Sequence, residues 1–79
     1  MKVEVKLLGI FCKFFPPGTK GPGFWLDVEE EAGLKEVMSK LKIPEDLPKS
    51  IILNGRVAKE NQSIQEGDVI AIFTPIIGG

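Results

Sequence analysis

Leu34, Val37, Met38 and Leu41 fall at i, i+3, i+4 and i+7, and this is the one stretch of the chain read as a helix. A single amphipathic helix cannot bury its apolar stripe alone. The rest of the chain must supply the opposing surface, and it reads as strands. Lys2 to Leu7 alternates polar and apolar, with Val3, Val5 and Leu7 on one face. Phe24-Trp25-Leu26-Asp27-Val28 resumes the alternation, with Trp25 on the opposite face from Phe24, Leu26 and Val28. Ile51-Ile52-Leu53 is followed by Asn54-Gly55, a strong hairpin signal, and the chain returns through Arg56-Val57-Ala58. Val69-Ile70-Ala71-Ile72-Phe73 is the most apolar run and suits an interior strand. One helix among strands predicts an α+β domain: a twisted mixed sheet of four to five strands with the helix across one face. The first and last strands are expected to be central parallel neighbours. The other face has no second helix to cover it, so apolar residues there favour a partner.

The connections carry their own signals. Gly33 is expected to cap the helix, with Glu36 three residues later and Glu29-Glu30-Glu31 just ahead, where negative charge suits a helix start. Pro44 ends the helix. The segment from Gly9 to Gly23 contains Pro16-Pro17-Gly18 and Gly21-Pro22-Gly23, both turn signals. Phe11, Phe14 and Phe15 lie in it. Packing on the core, through one short helical turn, is the expectation for most of them; an exposed docking patch is the alternative. Trp25 is expected to cover its neighbours rather than stack on a ligand. Ile64 is expected to anchor the polar stretch from Lys59 to Gln65.

Composition excludes several kinds of chemistry. The chain has 79 residues, which fits one domain. Its net charge of -1 gives no long-range attraction to nucleic acid or to an anionic membrane, so neither is an expected partner. No histidine is present, which removes serine-histidine catalysis, and no cysteine-histidine cluster can hold zinc. Cys12 is the single cysteine; a reducing, cytoplasmic setting and a role as a small buried hydrophobe are expected for it. The amino-terminal strand reads as neither a signal peptide nor a membrane span.

The chain ends Thr74-Pro75-Ile76-Ile77-Gly78-Gly79. Pro75 cannot donate a ladder hydrogen bond, so sheet pairing should stop near Thr74. The expected division is a domain over residues 1–73 and a flexible tail over 74–79. The two glycines offer a free carboxylate and a backbone thin enough to thread a narrow slot. A frayed terminus is the plain alternative.

Leu53-Asn54-Gly55-Arg56, then Glu66-Gly67-Asp68 leading into Val69–Phe73, then Pro75 and Gly78-Gly79, come in an order that resembles the ubiquitin-like β-grasp sulfur carriers. That group includes the small subunit of molybdopterin synthase and the thiamine-pathway carrier. The resemblance covers nearly the whole chain. It implies a carrier rather than an enzyme, with chemistry at Gly79. An E1-like adenylating enzyme spends ATP to convert the carboxylate to an acyl-adenylate. A sulfur donor protein then displaces AMP and leaves a thiocarboxylate. The chain itself is expected to bind no cofactor. A larger synthase subunit is the further implied partner, with Phe73, Pro75, Ile76, Ile77 and Gly78 as the docking stretch and Arg56 at its rim. Thr74 and Ile77 stand where molybdopterin-type tails usually have a proline and a small residue. The long Pro/Gly loop differs from thiamine-type carriers, and the Asn-Gly-Arg hairpin and proline-containing tail lean toward the molybdopterin side. A modifier joined to lysine amines through the same glycines, and a plain β-grasp binding domain, stay open as alternatives.

Overall fold

The computed structural model describes residues 1–19, 21 and 23–75. Five strands form one sheet: β1 (Lys2–Leu7), β2 (Gly23–Asp27), β3 (Ser50–Leu53), β4 (Arg56–Ala58) and β5 (Val69–Phe73). A 3-10 helix (Gly9–Phe14) follows β1, and α1 (Leu34–Lys40) lies between β2 and β3. The sheet order is β2-β1-β5-β3-β4, with β5 in the middle. It pairs parallel with β1 and antiparallel with β3, so the expected parallel neighbours are adjacent.

The register decides what is buried. Val3, Val5 and Leu7 stand level with Leu26, Phe24, Ile70 and Ile72 on one sheet face. Ile51 and Leu53 join that face from β3 through Ile72 and Ile70. Leu34, Val37, Met38 and Leu41 close the core from α1 and its last turn, and all four are buried. Ile64 is also buried, as the anchor of its polar stretch should be.

Two local devices hold α1 in place. The Gly33 N–H donates to Glu36 Oε1 at 2.8 Å, which satisfies one of the amides a helix start leaves open. Gly33 also packs tightly against the loop before β5. A Cβ at this position would stand 2.9 Å from the Gln62 carbonyl oxygen. That oxygen accepts from the Leu34 N–H at 2.9 Å, so the first turn of α1 is tied to that loop.

The aromatic connection behaves as its spacing suggests, with one exception. In a 3-10 helix residues three apart share a side. Phe11 is fully buried, and Phe14 and Phe15 pack partly buried against the core. Phe15 meets Phe24 edge-on at 5.6 Å between ring centres. Cys12 falls out of phase with Phe11 and Phe14 and is exposed, contrary to the expectation of a buried hydrophobe. Its thiol reaches only the Leu7 carbonyl oxygen, at 3.4 Å. Lys49 is the opposite surprise. Its side chain is 2% exposed and donates to the Pro44 and Glu45 carbonyl oxygens and to Glu60, at 3.2, 3.2 and 3.3 Å. It gathers the loop after α1 onto the segment beyond β4.

Candidate functional site

The last strand is the central one, so the chain leaves the sheet with neighbours on both sides. β5 ends at Phe73, where pairing was expected to stop, and Thr74 and Pro75 follow it outward. Ile76, Ile77, Gly78 and Gly79 lie outside the described residues. The Leu8 N–H donates to the Ile72 carbonyl oxygen at 3.0 Å, which continues the parallel ladder beyond β1. Gly9 then lies against Thr74. Leu8 and Ile10 on either side of Gly9 are both exposed, so apolar surface stands beside the base of the tail.

The uncovered face of the sheet joins this region. A row across the sheet reads Gly23, Lys6, Ala71, Ile52 and Val57, and a second reads Trp25, Glu4 and Val69. Phe73 stands level with Ser50 on the same face. The β5-β3-β4 half is therefore mainly apolar, and the β1 strand carries the charges. Val57 is 83% exposed and Trp25 60%. Water contact with this much flat apolar surface is unfavourable by roughly 25 cal/mol per Å2, which favours covering it with a partner.

The structure groups some of the expected docking residues and separates another. Phe73 and Pro75 are both half-buried at the exit. Arg56 pairs with Leu53, a core-facing residue, and Leu53 is level with Ile70 near the start of β5. By register Arg56 is thus on the helix side of the sheet, near the opposite end of β5 from Phe73. The strand pairing does not bring it to the tail. Leu8, Ile10 and Val57 are the surface residues the sequence reading passed over. For Leu8 the signal was the doublet Leu7-Leu8, since alternation sends its second leucine away from the core face.

The hairpin and the Gly-Asp turn, far apart in the chain, meet directly. Asn54 and Gly55 both have positive φ, at 52° and 85°, as a two-residue hairpin turn of the primed type needs. The Asn54 amide nitrogen donates to Asp68 Oδ1 at 2.9 Å, and its oxygen accepts from the Val69 N–H at 2.8 Å. Asp68 Oδ2 accepts from the Gln65 N–H at 2.7 Å. Two of the quoted motif pieces therefore form one structural clasp that fixes where β5 begins. Asn54→Ala should cost roughly 2–3 kcal/mol, from lost hydrogen bonds and a left-handed alanine. Asn54→Gly keeps the backbone freedom and should cost less. Urea denaturation of both variants checks this, and equal losses would reject the split.

Among the described residues no group of three or more His, Cys, Asp or Glu side chains could hold a metal ion. No described helix is long and apolar enough to cross a membrane.

Solved structures share this architecture. A chain in the complex of subunits 1 and 2 of the molybdopterin-converting factor from Helicobacter pylori matches this one at 28% identity, with a TM-score of 0.62 and full coverage of both chains. Small archaeal modifier protein 1 of Haloferax volcanii gives a TM-score of 0.72 at 19% identity, over 95% of this chain and 98% of that one. The thiamine biosynthesis protein ThiS of Geobacter metallireducens gives 0.58 at 19% identity, over 96% and 99%. No curated protein matches the sequence. The sequence profile of the ThiS family matches residues 20–79, most of the chain and the whole of the β2-to-tail region, and the chain therefore belongs to the ThiS family.

Proposed function

We propose that this protein is a sulfur carrier acting through the carboxylate of Gly79, and that it serves molybdopterin assembly as the small subunit of the synthase. The observation that carries the reading is the point at which the described chain leaves the sheet. Thr74 and Pro75 follow directly from the central strand of a ThiS-family domain, beside an uncovered apolar face, and the sequence runs on to Gly79. A carboxylate is a poor electrophile until one oxygen becomes part of a good leaving group. Transfer of AMP from ATP, with release of pyrophosphate, supplies that group. Attack by hydrosulfide then forms the carbon–sulfur bond as the bond to AMP breaks, and loss of the proton to solvent leaves a thiocarboxylate. The domain contributes position, since a tethered group reacts at high effective concentration. On this reading ATP and catalysis belong to an E1-like partner, and this chain acts as a carrier.

The choice of pathway draws support from the Helicobacter pylori pair, a complex of subunits 1 and 2 of the molybdopterin-converting factor. Phe73, Pro75, Ile76, Ile77 and Gly78 would then enter the larger subunit. The uncovered apolar half of the sheet would supply the broader contact. Arg56 has no place in the tail contact itself and would serve at the far margin of the sheet. Incubation with the adenylating enzyme, ATP and a sulfide source should raise the intact mass by one oxygen-to-sulfur exchange. An unchanged mass would reject the carrier reading.

The match to a small archaeal modifier protein supports a second reading, in which the activated glycine is joined to lysine amines. Affinity capture from cells separates the two. Covalent ladders that vanish on removal of Gly78 and Gly79 favour the modifier; one stable partner without ladders favours the carrier.

A further inference from the structure

A second groove lies on the helix layer, behind the sheet. The aromatic end of the 3-10 helix and the end of α1 enclose an open groove of about 410 Å3. Phe14, Phe15, Pro16 and Leu41 provide its apolar lining. Lys13, Lys40 and Lys42 also line it, and no carboxylate does. Three cations around an apolar floor are notable in a chain whose net charge is -1.

Each lysine is held near the groove. The Lys13 ammonium sits 5.4 Å from the centre of the Phe14 ring. Lys40 Nζ donates to the Asp27 carbonyl oxygen at 2.5 Å. Lys42 takes a left-handed backbone, φ 62°, while its N–H donates to the Ser39 carbonyl oxygen at 3.0 Å. Among the described residues the only ion pair is Lys49–Glu60, so no described carboxylate neutralises these three ammonium groups. Their charges are available to a ligand.

We infer that this groove binds an acidic segment of a partner protein that carries an apolar side chain between its carboxylates. The apolar side chain would lie on Phe14, Phe15 and Leu41. The carboxylates would meet Lys13 and Lys42, where charge complementarity fixes orientation and suppresses basic competitors. A nucleic acid fits less well. The net charge of -1 gives the chain no long-range attraction to a long polyanion. Phe15 is already engaged edge-on with Phe24, which removes one platform for base stacking. The groove is on the helix side of the sheet, so the proposal does not depend on sulfur transfer at Gly79.

The test is an amide NMR titration of the full chain with an end-capped peptide alternating glutamate and leucine. Saturable shifts are expected at Lys13, Phe14, Phe15, Leu41 and Lys42. The double variant Lys13→Glu, Lys42→Glu should bind about tenfold more weakly with an unchanged melting curve. A variant lacking Gly78 and Gly79 should bind as well as the full chain, so failure here and failure of the carrier reading are distinguishable. Absent or scattered shifts, or equal binding by the double variant, would overturn the proposal. So would tighter binding of a lysine-leucine peptide, an oligothymidine or phosphatidylserine vesicles to the same residues.

Discussion

Replacing Phe11 with alanine is expected to lower the thermal midpoint by about 12 °C or more. Phe11 is fully buried, and its ring centre lies 6.1 Å from that of Phe14. Truncating a buried phenylalanine costs roughly 3–5 kcal/mol, because apolar contact is lost and a cavity remains. Domains are stable by only about 0.05–0.15 kcal/mol per residue. For a chain of 79 residues that loss removes a large share of the total. The position also matters for function. Phe11 pins the 3-10 helix whose first residues, Gly9 and Ile10, stand beside the base of the tail. Trp25→Ala is the contrast, since its side chain is 60% exposed on an edge strand and should cost under about 1 kcal/mol. Urea and thermal denaturation of the two variants measure both. A Phe11→Ala loss no larger than that of Trp25→Ala would mean that the aromatic connection is not part of the core.

That contrast was legible before any coordinates, because strand alternation assigns faces and periodicity assigns the helix. Val3, Val5, Leu7, Leu34 and Val37 are all buried as their spacing predicts. Thr74 and Pro75 mark the end of pairing for a reason visible in proline itself. The misses come from contacts between segments distant in the chain. Cys12 looked apolar by its neighbours, but the phase of a 3-10 helix turns it outward. Lys49 carried no signal in the sequence, yet three acceptors converge on its ammonium group. Asn54 and Asp68 each read as a local turn, while their hydrogen bond is a tertiary fact. Arg56 seemed close to the tail because it shares a hairpin motif with the family, and only the register shows which end and face it occupies. The candidate site was legible as a tail; its apolar surroundings needed the fold.

Those surroundings explain why the tail's length should be critical. The central strand is hydrogen-bonded on both sides, to β1 and β3, so Phe73 is a firm base. From there the reach to the reacting carboxylate is set by residue count, at most about 3.3–3.6 Å per residue. Adding one alanine after Gly79 moves the carboxylate by up to that distance and places a Cβ where glycine had none. A displacement of about 1 Å can cost some hundredfold in a positioned reaction. Under the carrier reading, the extended chain should therefore gain no sulfur on incubation with the adenylating enzyme, ATP and sulfide, whereas the unmodified chain gains one atom. Its urea midpoint should match that of the unmodified chain, because nothing in the core is altered. If the alanine-extended chain were converted at the normal rate, the reacting group could not be the Gly79 carboxylate held at a fixed reach, and the sulfur-carrier assignment would fail with it.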